Sequence, residues 1–464
     1  MTVRAAALLG FLSALGCMAQ QQSPPETPPP QGGEIPRQQE NTAPEQPEAE
    51  QRWNLFWQAT EIGQYHGKFH SPYEGADSLQ DTTEWGDSLT STIFFGLRLD
   101  ANTQLYFNPE LSGGRGFSDV DGIANAPNGE LPRVGSVTPK PYLARLFLQH
   151  DFGWGAERES FESEENQLAG TRPVDRYTVA IGRFTLTDFF DNNRYTHDPR
   201  TQFMGWGIMY NGAWDYPADT RGYTWALFQE LHTKHWSFRY AAAMEPKVAN
   251  GQQFDRRVLR DRGDNFEQER RYSIRKHPGA IRALQFLLHT DSGSYQEALK
   301  LAAETGTTPS VIDTRAVGRL KYGFGLNLEQ EITSGIGVFS RLGWNDGKTE
   351  SFAFTAIDRL ATAGVSVTGA KWRRRFDVAA TELTVSGLSR VHAEYLAAGG
   401  LDFLIGDGRL NYGPEYVWES YYSVRVAPGF FTTIDLQHVE NPAYNQDRGP
   451  VWIPSLRLHL EFGR

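Results

Sequence analysis

Polar and apolar residues alternate along most of the chain beyond its first fifty residues. Between residues 90 and 99, Ile93 and Leu97 would point to one side of a strand while Thr92 and Arg98 point to the other. A period of two is the signature of a β-strand with two different faces. The clearest alternating segments are 90–99, 103–110, 235–246, 319–329, 418–426 and 456–462.

These segments, bounded by turn-forming residues, predict about sixteen strands. A soluble sandwich also alternates, so the pattern alone leaves a sandwich open, but strands of about ten residues with aromatics near their ends are typical of outer-membrane barrels. The predicted fold class is therefore all-β, a transmembrane antiparallel β-barrel. The predicted strands are 53–66, 88–99, 103–112, 142–152, 176–185, 222–232, 235–246, 270–275, 281–290, 319–332, 336–346, 350–366, 376–387, 415–426, 430–440 and 453–462.

The connections between these strands alternate in length. Those after even-numbered strands are mostly tight, as at Thr233-Lys234 and Ala427-Pro428-Gly429, and those after odd-numbered strands are mostly long. Outer-membrane barrels have short periplasmic turns and long extracellular loops, so both termini are predicted to be periplasmic. A sixteen-stranded barrel is wide enough for an aqueous channel. One even connection, 153–175, is long and breaks the rule.

The composition agrees with a membrane barrel and disfavours other classes. A net charge of −11 argues against a nucleic-acid partner, because phosphate binding needs a basic surface. The mean hydropathy of −0.51 suits a barrel, since only every second strand residue meets outer-membrane lipid. After the first twenty residues, no apolar run is long enough for a transmembrane helix.

The first 19 residues have the order of a secretory signal peptide. Arg4 precedes an apolar run, and small residues lead to Ala19, where cleavage is expected. A lipoprotein signal is the alternative, because Cys17, the only cysteine, ends a loose lipobox. Either reading predicts export to the bacterial outer membrane.

Residues 20–52 predict a disordered linker. The segment holds eight Pro and eight Gln and almost nothing apolar, so it cannot bury enough surface to offset its ordering entropy. It could contact the cell wall, although a plain linker is the simpler interpretation. The predicted organisation is a signal peptide at 1–19, a linker at 20–52 and a barrel domain at 53–464.

The side chains predicted to face the lumen are polar and carry both signs. Guanidinium groups donate to paired hydroxyls and carboxylates accept from them, so a mixed lining suits neutral polyols. The alternative is a salt-bridged wall that only keeps the lumen hydrated. The predicted inward charged residues are Arg98, Glu110, Arg145, Arg239, Lys321, Glu329, Arg341, Glu419, Arg425, Arg457 and Glu461.

The long segment 187–221 is the candidate constriction. Folded into the barrel, its aromatic rings would stack on the apolar faces of sugars while its polar groups meet hydroxyls. The alternative is an exposed loop that packs on its own aromatics. The candidate residues in this segment are Asp191, Asn192, Arg200, Trp206, Trp214, Asp215 and Arg221.

Motifs spread along residues 53–464 resemble those of the OprB-type carbohydrate-selective porins. The matches keep their order over essentially the whole barrel domain. They include Phe69-His70-Ser71-Pro72-Tyr73, Phe107-Asn108-Pro109-Glu110, Tyr142-Leu143-Ala144-Arg145, Asp188 to Phe203, Gly212-Ala213-Trp214-Asp215-Tyr216, Gly343-Trp344-Asn345-Asp346-Gly347, Phe354-Thr355-Ala356-Ile357-Asp358, His392 to Gly400, Gly406-Asp407-Gly408, Asn441-Pro442-Ala443-Tyr444-Asn445, Arg448-Gly449-Pro450-Val451 and Arg457-Leu458-His459.

The resemblance implies a barrel of roughly sixteen strands with an arginine-bearing eyelet for monosaccharides such as glucose. It would assign the eyelet role to Arg98, Arg145, Arg200 and Arg221. One departure is that Phe462 is followed by two further residues, which displaces the terminal aromatic that the barrel-insertion machinery reads. The proline-rich linker is also unusual for a plain porin.

The predicted function is passive diffusion of small neutral sugars, without a cofactor or metal. No Gly-x-Ser-x-Gly elbow, phosphate-binding glycine loop or His-Glu-x-x-His motif occurs, so an enzyme is not expected. A pore for organic acids or ions is one alternative, since only the constriction would differ. A plugged structural or adhesive barrel is another.

Overall fold

Sixteen antiparallel strands close into a barrel because the first strand pairs with both the second and the last. The computed structural model describes residues 50–131 and 136–463. The predicted signal peptide lies outside the described residues, as does the predicted linker up to residue 49. Sequence neighbours pair all the way round the sheet, which gives the simplest up-and-down order.

The strands are 9 to 22 residues long, as expected for tilted strands that cross a bilayer. They are β1 (Trp53–His66), β2 (Glu84–Arg98), β3 (Thr103–Arg115), β4 (Lys140–Phe161), β5 (Gly170–Phe184), β6 (Thr224–His232), β7 (Trp236–Met244), β8 (Arg262–Ile274), β9 (His277–Thr290), β10 (Arg319–Thr333), β11 (Ile336–Asn345), β12 (Arg359–Thr368), β13 (Val378–Gly387), β14 (Glu415–Ala427), β15 (Phe430–Glu440) and β16 (Val451–Gly463).

The predicted alternation is confirmed along the strands. On β2, Ile93 is 42% exposed on the outer face while the neighbouring Thr92 is fully buried on the inner face. On β16, Leu456 is exposed and Arg457 is fully buried. The outer surface is therefore apolar and the inner surface is polar, which is the reverse of a soluble sandwich.

Aromatic side chains mark both ends of the outer surface. Trp85 and Trp452 lie one residue inside the ends of β2 and β16 that join long loops. Trp53 and Trp236 begin β1 and β7 at the opposite end, and all four are exposed. Such girdles sit at the two interfaces of a membrane, where a ring can be half in lipid and half in water.

The connections repeat the predicted asymmetry in length. At one end of the barrel they are the turns 99–102, 162–169, 233–235, 275–276, 334–335, 369–377 and 428–429. We call this the turn end. At the other end, the loop end, are the segments 67–83, 116–139, 185–223, 245–261, 291–318, 346–358, 388–414 and 441–450.

Two of the two-residue turns reach the left-handed backbone region in different ways. Gly335 has φ of +77°, which costs glycine little. Arg275 and Lys276 have φ of 52° and 72°, so this hairpin turn places two side-chain-bearing residues where glycine or asparagine is preferred.

Several strand predictions were wrong in their bounds. The predicted strand 270–275 is the end of the longer β8, whose polar residues on both faces hide the alternation. The predicted strand 350–366 begins only at Arg359, because residues 350–358 form a loop whose backbone is held by Asp215. The long connection 153–175 is mostly strand, since β4 and β5 continue to Phe161 and Gly170.

The apolar core lies inside the barrel, among the loops of the loop end. Buried rings of the 185–223 segment pack on rings from other loops, as where Trp206 and Tyr216 each contact Phe354 at 4.7 Å between centroids. Within the described residues, three short α-helices lie in these loops: α1 (Trp206–Met209), α2 (Tyr295–Thr305) and α3 (Arg390–Ala397). The loop end of the lumen is therefore a packed structure.

Candidate functional site in the barrel lumen

Residues 185–223, here called the lumen loop, run inside the barrel and contact strands on several sides. Asp191 forms a buried ion pair with Arg341 of β11, with 2.9 Å between Oδ2 and Nε. On another side, Arg457 of β16 donates to the carbonyl oxygens of Pro199 and Gln202 at 2.8 and 2.6 Å. The lumen loop therefore spans the interior between these strands.

Carboxylates on the barrel wall fix the backbone of the lumen loop. Glu267 accepts the amide of Asp191 and Glu329 accepts the amide of Arg194, both at 2.7 Å. Glu419 accepts the amide of Gly205 at 3.0 Å. Backbone N–H groups held by charged acceptors make strong hydrogen bonds, so this segment has a defined path.

A polar cluster joins the lumen loop to β2, β3 and the 116–139 loop. Arg200 donates to Glu110 at 3.0 Å, to Glu130 at 3.1 Å and to Thr92 at 3.0 Å. Its side chain is 7% exposed. A guanidinium group buried this deeply needs such paired carboxylates to offset its desolvation.

The same cluster extends to β4 through two tyrosines. The hydroxyls of Tyr142 and Tyr223 both donate to Glu110. The guanidinium carbon of Arg145 lies 5.3 Å from the ring centre of Tyr223, and the guanidinium carbon of Arg221 lies 4.2 Å from the ring centre of Tyr142. The two rings therefore link the three arginines through one carboxylate.

Arg145 and Arg221 have different polar partners within this cluster. Arg145 binds Asp188 in a two-pronged contact, with N–O distances of 2.7 and 2.6 Å. Arg221 donates to the hydroxyl of Ser112 at 2.9 Å. We call the whole group the arginine cluster; it consists of Arg145, Arg200, Arg221, Glu110, Glu130, Asp188, Tyr142 and Tyr223.

A second charged network lines the wall nearer the turn end. Arg239 of β7 contacts Glu267 at 2.6 Å and Glu269 at 3.1 Å. Arg282 of β9 bridges Glu269 and Glu329 at 2.7 and 3.3 Å. Opposite charges alternate from strand to strand, so the wall is polar without being strongly charged in either sense.

The structure brings together four of the residues predicted for the site. Glu110, Arg145, Arg200 and Arg221 all belong to the arginine cluster. Arg98 lies apart from it at the turn end, where it pairs with Glu50 at 3.0 Å and donates to backbone oxygens. Their roles toward a solute stay predictions.

The other predicted residues hold the lumen loop in place. Asp191 binds Arg341, and the carbonyl oxygen of Asn192 accepts from Asn327 at 3.2 Å. Asp215 pairs with Lys321 at 2.9 Å and accepts three consecutive backbone amides of residues 352–354. These contacts stabilise the loop whether or not its residues also meet a solute.

The two predicted tryptophans are packed away from the aqueous space. Trp214 is fully buried and its indole N–H donates to Asn265 at 2.9 Å. Trp206 is 3% exposed and packs against Phe354. The observed packing corresponds to the alternative in which the loop aromatics pack on one another, but inside the barrel.

Several residues of the arginine cluster were not predicted as site residues. Glu130, Asp188, Tyr142 and Tyr223 contact predicted residues that are far away in the sequence, up to 113 positions for Tyr223 and Glu110. Nothing in the spacing marks such pairs. The only signal is that Tyr142 and Asp188 lie within the motifs of the family resemblance.

Among the described residues, one group of acids has the spacing of a metal site. Asp255, Asp261 and Asp291 lie together in the loops at the loop end. Arg257 contacts all three through one nitrogen, at 2.6, 3.2 and 2.6 Å. A side-chain cation thus already balances this cluster.

Within the described part of the chain, no helix has the length and apolar character needed to cross a membrane.

Comparisons with known proteins agree with this architecture. The model of the carbohydrate-selective porin, OprB family matches residues 96–462. The high-pH structure of Pseudomonas putida OprB matches with a TM-score of 0.66 and 15% identity, covering 89% of this chain and 94% of that one.

Other solved structures match less well. The low-pH structure of the same Pseudomonas putida protein has a TM-score of 0.47 and 12% identity, covering 89% of this chain and 93% of that one. Salmonella typhi OmpF in complex with daunomycin has a TM-score of 0.46 and 8% identity, with coverages of 89% and 98%. No curated protein matches the chain.

Proposed function

Because the chain belongs to the carbohydrate-selective porin family OprB, we propose that this sugar porin of the bacterial outer membrane admits small neutral carbohydrates, monosaccharides such as glucose. Family and fold together indicate a channel rather than an enzyme. Transport through such a channel is passive diffusion, so selectivity resides in the groups that line its narrow part.

The charge balance of the arginine cluster is the observation that supports a neutral solute. It contains three guanidinium groups, on Arg145, Arg200 and Arg221, and an equal number of carboxylates, on Glu110, Glu130 and Asp188. An excess of one sign would attract counter-ions and repel the others. A balanced cluster offers donors and acceptors without a net charge.

The same groups are suited to exchange hydrogen bonds with a polyol. Arg221 and Tyr142 are partly exposed. The guanidinium group of Arg221 donates to the hydroxyl of Ser112, and the hydroxyl of Tyr142 donates to the carboxylate of Glu110. A sugar that loses water on entering the narrow part would recover hydrogen bonds from such groups. Because these side chains are already paired, binding stays weak enough for release.

The proposal includes an orientation in the membrane. Short turns at the periplasmic side and long loops outside the cell are usual for this class, so we place the turn end and both termini in the periplasm. Lipid would contact the apolar outer face. The barrel-insertion machinery would act on β16, and residues 20–52 would link the barrel to the periplasm or contact the cell wall.

Liposome swelling tests the proposed solutes. Purified protein in liposomes should admit glucose several-fold faster than a disaccharide and faster than gluconate, an anion of similar size. Arg390→Gln, on an exposed helix of the loop end, should behave as the wild type. Equal entry of glucose and gluconate would contradict the proposed preference for neutral sugars.

A further inference from the structure

The β4–β5 connection differs in build from the two-residue turns of the turn end. β4 runs to Phe161 and β5 begins at Gly170, and the two strands stay paired up to these residues. We call residues 155–173 the turn-end hairpin. Its sequence is rich in Glu and Arg and poor in apolar residues, which is why sequence analysis gave no account of it.

A corner near Gly155 bends the hairpin out of line with the rest of β4. The pairing jumps from Trp154 to Arg158, which leaves three bulged residues in β4, and Gly155 has φ of +78°. Such bulges bend a strand sharply. Beyond the corner, Glu157 pairs with Lys234 of the β6–β7 turn at 2.5 Å.

The middle of the hairpin contacts neighbouring strands of the wall. Glu159 contacts Arg176 of β5 and lies 3.8 Å from His232 of β6. Phe161 lies under Arg172, whose guanidinium carbon is 4.6 Å from the ring centre. The contacts of Glu159 fasten the middle of the hairpin to the inner face of the barrel.

The tip of the hairpin is docked inside the lumen. The side-chain amide of Asn54, on the inner face of β1, donates to Ser163 Oγ at 3.2 Å and to the carbonyl oxygens of Glu164 and Gln167 at 3.0 and 2.7 Å. Leu168 is fully buried. The tip is therefore held against the wall at the turn end.

Three further hydrogen bonds hold the base of the tip. The carbonyl oxygen of Ala169 accepts from the side chain of Arg98 at 2.9 Å and from the amide of Gln51 at 3.1 Å. The amide of Ala169 donates to Gln51 Oε1 at 2.9 Å. Anchored at both its corner and its tip, the hairpin is a fixed part of the barrel.

The tip carries two carboxyl groups, on Glu164 and Glu165. Glu165 feels the charges of Asp198 and Arg200 on the lumen loop, of Glu461 on β16 and of its neighbour Glu164. Burial, together with the three nearby carboxylates, raises the pKa of Glu165 to about 8 in spite of Arg200. The tip thus lies within electrostatic range of the arginine cluster.

We propose that the turn-end hairpin is a second constriction, in series with the lumen loop, and that Glu164 and Glu165 at its tip select against anions on the turn-end side of the pore. This inference rests on the proposed function, because it requires a conducting barrel. It adds a selectivity element that neither the lumen loop nor the arginine cluster contains.

Single-channel conductance of a shortened variant tests the constriction. In this variant an Asn-Gly turn replaces residues 155–174, directly after the Trp154–Asp175 pair. If two constrictions of similar resistance act in series, removing one should raise conductance about twofold. The matched control shortens 369–377, a nine-residue connection at the same end, and should leave conductance unchanged.

The outcomes separate this inference from the proposed function. A wild-type barrel without conductance would overturn both. Conducting wild-type protein together with an unchanged shortened variant would overturn the second constriction alone. An equal increase in conductance in the shortened variant and in the control would also overturn it. Shortening any connection at the turn end would then have the same effect.

Isosteric substitution tests the role of the two carboxyl groups without removing the hairpin. The double variant Glu164→Gln/Glu165→Gln should shift the reversal potential in a KCl gradient toward anions at pH 9, which lies above the raised pKa of Glu165. Glu157→Gln, which removes a charge from the exposed corner, is the control and should not shift it. An unchanged reversal potential in the double variant would overturn the role of the tip.

Discussion

Asp191 and Arg341 form an ion pair that is almost completely withdrawn from water. Their side chains are 2% and 0% exposed, and Arg341 also donates to the carbonyl oxygens of Asp191, Thr196 and Ile208. One strand residue therefore holds three points of the lumen loop.

Replacing Arg341 with methionine should destabilise the barrel and release the loop. Removing one partner of a buried ion pair leaves the other charge unpaired, which costs about 3–5 kcal/mol. We expect a lower urea midpoint and larger fluctuations of the open-channel current. Arg390→Met removes an exposed ion pair and should change neither. Unchanged current noise in the Arg341 variant would show that the loop is held by other contacts.

Substitutions in the arginine cluster should distinguish effects on solute selectivity from effects on stability. Arg221 is partly exposed, with a single hydrogen bond to Ser112, so Arg221→Gln should alter glucose flux by a few-fold and leave unfolding unchanged. Arg200→Gln should change both, because it leaves Glu110 and Glu130 without their shared cation. Swelling rates and urea midpoints measure the two effects. Equal unfolding midpoints for the two variants would contradict the structural role of Arg200.

His392 should make the loop end sensitive to alkaline pH. Burial opposes its charge, but Asp358 and Asp402, each at 3.0 Å, outweigh this and raise its pKa to about 9. The folded pKa lies above the ordinary value of 6.5, so the stabilisation is complete below pH 6.5 and is lost as pH rises through about 9.

Limited proteolysis between pH 7 and 10 measures this effect. Cleavage within the 388–414 loop should accelerate above pH 9 in the wild-type protein. His392→Gln should be cleaved faster at pH 7 and should lose most of the pH dependence. A wild-type cleavage rate that stays flat through pH 9 would argue against a charged His392.

Substitutions in the turn between β8 and β9 should increase the stability of the protein. Arg275 and Lys276 both adopt positive φ, which costs side-chain-bearing residues roughly 1–2 kcal/mol each. Arg275→Asn/Lys276→Gly should therefore raise the unfolding free energy by about 1 kcal/mol. Gly335→Ala, in a turn that already uses glycine, should lower it. A double variant less stable than the wild type would show that these two side chains make compensating contacts.

The sequence predicts the wall of the barrel much better than its contents. Ile93 and Thr92 lie on opposite faces because strand geometry forces a period of two, and the long loops fall between the alternating segments for the same reason. Local geometry therefore determines the number of strands and the inward position of residues such as Arg145. Only the bounds were wrong where polar residues occupy both faces, as in β8.

The contents of the lumen depend on contacts between distant residues. Arg200 donates to Glu110, which lies 90 positions away in the sequence, and Trp214 donates to Asn265, which lies 51 positions away. A loop rich in aromatic residues has the same sequence whether its rings face sugar or face one another. The turn-end hairpin was missed for a related reason, since its few apolar residues, such as Leu168, are buried only by a docking that local sequence does not specify.

The pairing of β1 with β16 has a consequence for how the protein is made. It joins residues such as Thr60 and His459, whose side chains share a hydrogen bond although they are 399 positions apart. Contacts over such distances form slowly, because the entropy of closing the loop is lost before the contact stabilises anything. Until β16 is in place, the sheet has two unpaired edges that invite aggregation. Assembly should therefore require that the chain be kept unfolded and escorted until its last strand reaches its first.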